Sequence, residues 1–481
     1  MDFYTEPQKK LKIITKVDVV VVGAGVAGIT AAIASARAGA RTILIERSGR
    51  LGGIATSTLM IAMGNMFMDS NSNLVVKGIA KELIDACIVK GGWSKKWETH
   101  QVANIGFDPE KMELVFIEML EEAGVEVYIN TLASDVIMKE NIIEGIIIES
   151  KWERSALFCH TVVDCSGEAD ILVKAGAPVK SFSVGEKNIN HGTILFRMDN
   201  VDIDRFVDYI IENGQYPEGV DGWMTADDFY SNWKERGLIF FPHGGGKTLK
   251  IFNDAIEKGE YKAELGKAFS LNAFGVHGIK NYPIAINSNF FWVNDSVLNT
   301  RDISEIQLEA RKICHYTADF LTRHIPGFEN SVLIQTGNDF GIRVARWVDT
   351  GMPFTKADRE NGAKYDDVIG VVPAFGKNYE MSTGKHTDIP FHIMIPQKVE
   401  GLITGSGKSV DTEPPGIIRG MSRCMTLGQA SGLAAAIASR EKVSVRDIDI
   451  RTLQIELLGQ GVNLGSKERL DELGLNIIGG A

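Results

Sequence analysis

Residues 17–22 (VDVVVV) are a short β-branched run, and the chain is organised around this run and the Gly-rich turn after it. The run predicts one strand buried on both faces. Residues 29–38 are Ala-rich and predict a helix, ended by Gly39. Residues 41–45 predict a second strand, closing at Glu46. Strand, turn, helix and strand make the mononucleotide half of a doubly wound fold. Further on, 78–89 and 109–123 carry apolar positions near i, i+3 and i+4, which predicts two amphipathic helices. Residues 125–129 predict a strand, 133–139 and 142–149 a hairpin turned at Glu140-Asn141, and 156–163 a further strand. Residues 1–16 read as a polar lead-in strand or arm.

The βα rhythm is lost from 173 to about 396. Aromatic residues (Trp223, Trp233, Trp292, Trp347) and Gly, Pro and Asn punctuate that stretch, which suits an inserted α+β substrate domain. Inside it, 300–323 predicts a long helix and 331–336 a strand. Residues 401–405 predict a strand returning to the first sheet, 419–438 a helix, and 443–481 a tail of Asp-capped short helices. The expected division is 1–172 and 397–440 for a discontinuous nucleotide-binding domain, 173–396 for the insert and 441–481 for the tail.

Chemistry enters at the first turn. Gly23, Gly25 and Gly28 stand in G-x-G-x-x-G spacing. Gly23 allows a tight exit from the strand, Gly25 lets a pyrophosphate approach the backbone, and Gly28 lets the helix pack on the sheet. The helix opens at Val26 and Ala27, where free N–H groups and the dipole favour phosphate. Glu46, at the second strand's end, is placed to take ribose hydroxyls. A second Gly-rich turn comes directly after: Arg47, then Gly52-Gly53, then Ala55-Thr56. A plain loop would also use glycines, but an ordinary NAD dehydrogenase has no need of that pair.

Composition removes alternatives. At 481 residues the chain suits two or three domains, and its net charge of −11 argues against a nucleic-acid surface. Five cysteines without a CxxC pair offer no disulfide framework, zinc ribbon, cluster motif or redox pair. The N-terminus has no apolar signal region, and no apolar run approaches a membrane span, so a cytoplasmic setting is expected. No metal is expected. The partners expected are a small-molecule substrate and an electron donor or acceptor, with no nucleic acid and no membrane; a homo-oligomer is an open expectation.

Further candidates lie along the chain. Residues 56–68 are apolar and Met-rich, either core or the floor of a cofactor site. The 156–163 strand runs into DCSGEAD (164–170), with Ser166, Gly167 and Asp170 as candidates. Residues 242–248 (PHGGGKT) miss phosphate-loop spacing, because Phe241 stands where its first glycine belongs. Arg343 and Arg346, three apart, would share a helix face and serve either an ion-pair surface or an anion site. His386, His392 and Lys398 precede the returning strand; His392 is the candidate to face substrate. Gly405 ends that strand, and Pro414-Pro415-Gly416-Ile417-Ile418 leads into an uncapped, Gly-led helix able to present N–H groups to an anion.

With these residues together, the chain resembles the FAD-dependent oxidoreductases of the glutathione-reductase-like, Gly-Gly-motif superfamily. The motifs are GAGVAG…ERSGRLGGIAT, the DCSG turn, GIRVAR, LITGSGKSVD and RCMTLGQASGLAAAIA. The sequence departs from the family at Lys408, at VDTEPPG, and at His392, where the family more often has Arg, a His-containing loop and Arg. The resemblance implies an α/β fold: a discontinuous Rossmann-like FAD-binding domain with an inserted α+β domain. It implies FAD at the Gly23–Gly28 and Gly52-Gly53 turns, adenine near the backbone of Ala133, and further contacts at Ser166, Gly167, Asp170, Gly405, Ile417 and Ile418. It implies hydride transfer between flavin N5 and a small organic substrate; Arg343 first, then His392 and Arg346, are the catalytic candidates read from the residues themselves. A thiazole-synthase-like enzyme that consumes NAD, and a FAD-carrying electron-transfer subunit, are the alternatives.

Overall fold

The computed structural model describes residues 3–64, 67–69, 71, 73–93, 104–182, 191–212, 238–241, 250–261, 270–274, 283–287, 291–292, 298–375 and 381–475. The expected PHGGGKT loop, Trp223 and Trp233 lie outside them.

A seven-stranded sheet carries the nucleotide half. Its strands in chain order are β1 (Lys12–Val22), β2 (Thr42–Ile45), β3 (Glu126–Tyr128), β4 (Thr131–Lys139), β5 (Ile142–Ser150), β6 (Arg154–Asp164) and β7 (Leu402–Thr404). The sheet runs β3-β2-β1-β6-β5-β4, and β7 also pairs with β6. The pairs β1–β2, β1–β6, β2–β3 and β6–β7 are parallel, whereas the β4–β5–β6 pairs are antiparallel. On the edge away from β1, strand β6 serves two neighbours in turn. Its first half pairs with β5, and its last three residues pair with β7, which arrives more than two hundred residues later.

Strand β1 is longer than expected, because residues 12–16 of the lead-in arm join the sheet across a register shift at Ile13/Thr15. Its apolar run is explained by two cores. Val19 and Val21 belong to one, and Val20 and Val22 to the other. Alternate side chains of one strand face opposite sides, so a strand covered on both must be apolar throughout.

The first core is built on two helices, α1 (Val26–Arg37) and α2 (Met421–Glu441). Their small residues permit contact at backbone distance. A Cβ on Gly428 would lie 2.0 Å from the Ala27 carbonyl oxygen, and one on Gly432 would lie 1.9 Å from that of Ala31. The expected helix over 109–123 is present as Pro109–Glu122, with the Asp108 side chain accepting from the Glu110 and Lys111 N–H groups at its N-terminus. The tail carries Ile450–Gly459, capped by Asp449, and Lys467–Glu472, capped by Ser466 in place of an acid.

The stretch expected as one insert divides by packing. Its own core holds Ile194, Phe196, Met198, Ile284, Ile286 and Phe320, under a five-stranded antiparallel sheet and the helix Thr300–His324. That sheet runs Leu238–Phe241, Ser270–Phe274, Ile284–Asn287, Phe196–Asp199, Val332–Thr336. Residues from Phe354 to Met394, including the hairpin Val368–Phe375/Met381–Pro390, pack instead in the first core with α1 and α2. Periodicity shows that these strands exist but not which core they join.

Candidate functional site

The first glycine turn has two glycines that the protein's own packing requires and one that it does not. A Cβ on Gly23 would lie 2.6 Å from the Cys165 carbonyl oxygen, and one on Gly28 would lie 1.8 Å from that of Gly23. A Cβ on Gly25 would meet nothing within 4 Å. Gly25 is also the N-cap of α1, with no side-chain cap and no acid in the first turn. An open space at an uncapped helix N-terminus fits a phosphate.

The second glycine turn closes on the first. Gly52 N–H donates to the Ala24 carbonyl at 2.7 Å, and Gly25 and Gly52 form an isolated parallel bridge. Gly52 has φ +104°, and a Cβ there would sit 2.5 Å from Thr56 Cγ2, so only glycine suits the position. Ala55 and Thr56 are buried in the short helix Ile54–Ser57, and the Thr56 hydroxyl donates to the Leu51 carbonyl. Glu46 is buried, and its carboxylate accepts from Ala24 N–H and Ser48 N–H, each at 2.8 Å. It ties the two turns together and keeps one lone pair on each oxygen for a hydroxyl donor. Arg47 reaches across to Asp339 at 3.5 Å. Ala133 is a core residue on β4.

At the end of β6 sits Asp164, which sequence reasoning passed over. It is fully buried and accepts from Ser166 N–H and Oγ–H and from the N–H groups of Ile171 and Leu172. Burial pushes its carboxyl up despite those donors. The signal available was an acid between a strand and a short helix, here Asp170–Lys174. Ser166 is thereby committed inside the turn, where its hydroxyl also accepts from Asp170 N–H. Gly167 borders Lys408, whose Nζ bonds Glu168 at 2.6 Å.

Arg346 joins the same turn, donating Nε–H to the Glu168 carbonyl at 2.9 Å and pairing with Asp170. Burial, then the neighbouring Asp164 and Glu168 charges, push the Asp170 carboxyl up to about 6, against the pull of Arg346 and Lys174. The shared helix face expected for Arg343 and Arg346 is not formed. Their segment is extended, with strands at Gly341–Ile342 and Arg346–Val348, so the spacing of three does not align them. Strand pairing to His191–Thr193 and Val179–Ser181 outcompetes a helix here. Arg343 lies between the two strands, half-buried. Next to it, Val344 Cγ2 comes within 2.5 Å of where a Gly416 Cβ would be, which brings GIRVAR against the loop before α2.

That loop ends in α2, whose N-cap Gly420 provides no side-chain cap. Ile417 is half-buried, and its carbonyl accepts from the buried Arg423 at 3.0 Å. The Ile418 side chain is fully buried in the first core, so only its backbone is available to a ligand. Gly405 N–H donates to the Asp164 carbonyl, and a Cβ there would lie 2.5 Å from Ser431 Oγ, so helix packing accounts for that glycine. His392 opens a 3-10 turn, with Nδ1 2.8 Å from Asp367 Oδ2 and its own N–H on the same oxygen at 2.9 Å. The Tyr365 ring meets it edge-on. Burial pushes Asp367 up, but the bonds from His392 outweigh it and hold that carboxyl below its usual range. His386 bonds Asp69 at 3.0 Å. Lys398 sits at φ +64° just before the returning strand.

The segment after Gly53 packs against the insert, where Leu59 and Ile61 cluster with Leu195 and Ala285. All five cysteines are free and buried. Burial pushes the Cys87 and Cys159 thiols up to about 12 and raises those of Cys165 and Cys424 as well. Among the described residues no group of three or more His, Cys, Asp or Glu could hold a metal ion, and no helix is long and apolar enough to cross a membrane.

Known proteins share parts of this chain. A thiamine thiazole synthase from Aeropyrum pernix is 30% identical over 149 residues, which cover 30% of this chain and 47% of that protein. Digeranylgeranylglycerophospholipid reductase 2 from Methanothermobacter thermautotrophicus is 29% identical over 166 residues, 34% of this chain and 42% of that protein. The matched part thus spans less than half the length of either curated relative. A geranylgeranyl bacteriochlorophyll reductase-like protein of known structure from Thermoplasma acidophilum is 15% identical, covering 95% of this chain and 90% of that one at a TM-score of 0.44. The model of the family described as FAD dependent oxidoreductase matches residues 18–457. The chain therefore belongs to the FAD dependent oxidoreductase family, and FAD is its cofactor.

Proposed function

We propose that this protein transfers a hydride between flavin and a small organic substrate, with FAD held non-covalently. The observation that carries the reading is the open space at Gly25, at the uncapped N-terminus of α1 and bridged to Gly52. Bound FAD supplies the hydride-exchanging N5 atom. The backbone N–H groups of Val26, Ala27 and Gly28 take the pyrophosphate, and Glu46 takes ribose hydroxyls with its remaining lone pairs. Backbone at Gly53, Ser166, Gly167 and Gly405 is assigned to the further contacts with FAD. The N-terminus of α2, with Ile417 and Ile418 before it, favours negative charge at the pyrimidine end of the ring.

Arg343 is assigned to the substrate or to charge developing on it, since Val344 beside it packs on Gly416. His392, with Nδ1 fixed by Asp367, keeps Nε2 for proton exchange. Arg346 holds the 164–170 turn in place and is a positioning residue. Five free thiols suit a cytoplasmic location.

The test is an absorbance spectrum of the purified protein, before and after acid release. Flavin bands near ~370 and ~450 nm that pass into the filtrate, and that bleach anaerobically with a substrate, are expected. Bands that stay with the precipitate mean covalent attachment. A protein that takes up no flavin even when FAD is added sinks the reading. It would favour the alternative in which NAD is the substrate.

A further inference from the structure

Arg197 sits on Phe196–Asp199, an inner strand of the inserted sheet. Its neighbours Phe196 and Met198 belong to the insert's own core, so Arg197 points to the opposite face. Directly across the ladder is Ala285, whose side chain shares that face. This face is covered too: Ala285 and Leu195 pack with Leu59 and Ile61, from the segment after Gly53. Arg197 therefore lies between the inserted sheet and the chain leaving the second glycine turn.

The side chain is only 8% exposed. Its Nε and Nη2 are covered by protein and have no hydrogen-bond partner. Arg359, Arg423 and Arg469 also leave Nε without a bond, and Arg423 its Nη2 as well, but each of them has a partner at another nitrogen. Arg423 donates to the Ile417 carbonyl, Arg359 stands beside Glu360, and Arg469 pairs with Asp388 and Glu472. Nε–H and the Nη2–H groups form one edge of the guanidinium fork, spaced for the two oxygens of a planar carboxylate. A buried cation with that edge empty is costly, because it has lost its water and gained nothing in return. A carboxylate on the edge would satisfy both donors and balance the charge. Lysine lacks the edge, and a neutral side chain lacks the charge.

We propose that Arg197 anchors the carboxylate of an organic substrate between the inserted sheet and the segment after Gly53. The proposal rests on the redox reading above and narrows it to carboxylate-bearing substrates.

The experiment measures thermal unfolding of the holoenzyme, wild type, R197M and R197K, in sodium chloride, sodium acetate or sodium phosphate at matched ionic strength. Flavin absorbance is recorded for each sample. Acetate is expected to raise the wild-type melting temperature by about 2–4 °C and to leave R197M and R197K unmoved. In chloride alone, R197M is expected to melt above the wild type, since the unfilled cation is gone. Acetate raising all three alike or none, or R197M melting below the wild type, overturns the proposal. Stabilisation by phosphate in place of acetate overturns the carboxylate assignment. If R197M does not fold, R197K decides: retention of the acetate shift overturns the anchor. Protein without flavin that keeps an Arg197-dependent acetate shift sinks the redox reading alone. Protein with flavin whose acetate response ignores Arg197 sinks only the anchor.

Discussion

A valine at Gly25 would project into the open space where a pyrophosphate is expected, since a Cβ there meets nothing within 4 Å. Gly25→Val should therefore fold normally and bind FAD at least tenfold more weakly, about 1.4 kcal/mol. Flavin content after purification, with far-ultraviolet circular dichroism as the folding control, measures this; a fully flavin-loaded variant moves the pyrophosphate elsewhere. Arg343→Ala should keep its flavin and lose about tenfold or more in kcat/KM for whichever substrate bleaches the flavin. Unchanged kinetics would return Arg343 to a structural role. The thiols make a separate case. Because burial raises them, native protein should resist a thiol-specific reagent at neutral pH until unfolded, and a fast-reacting native cysteine would contradict that. At this scale the glycine pattern was legible in advance, because steric demands of tight turns are local. Asp164 was not, since its four donors come from a turn whose shape only the fold sets.

At the scale of elements, the contact between α1 and α2 joins the two ends of the nucleotide half. Gly428 and Gly432 face the Ala27 and Ala31 carbonyls with no room for a methyl group. Gly432→Ala must push the helices apart, and overpacking of this kind costs about 1–3 kcal/mol. Chemical denaturation should show that loss, accompanied by weaker FAD retention because α1 carries the proposed cradle. A variant as stable as the wild type would mean that the helices slide freely. The helices and strands themselves were mostly readable from periodicity, to within a few residues at the ends. The Arg343–Arg346 segment was not, because a spacing of three has a meaning only if the segment is helical, and strand pairing to a distant part of the chain decided otherwise.

On the scale of the whole molecule, one ion cluster links the end of β6, the exit of the insert and the loop after β7. It consists of Glu168, Asp170, Arg346 and Lys408. Asp170, raised to about 6 from its ordinary 3.8, holds a proton in the folded state that the unfolded chain has released. Its stabilising contribution is complete below 3.8 and is lost as pH rises through about 6. Asp170→Asn should remove that slope, so its melting temperature relative to the wild type should climb across this window. Because the Asp170 side chain is 44% exposed, solvent screening should keep the difference below about 1 kcal/mol. Parallel curves for the two proteins would refute the assignment.

The sequence by itself determined the strand–turn–helix–strand unit and the class of cofactor. Each depends on backbone sterics and side-chain period over a few tens of residues, which a linear chain displays directly. Tertiary structure alone decided which core the hairpin Val368–Phe375/Met381–Pro390 joins. It alone bound Arg346 to a turn some 176 residues earlier, and it alone buried Arg197 with an empty edge. The reason is physical: burial and charge pairing depend on which distant surfaces meet, and no local pattern of polar and apolar residues specifies that meeting.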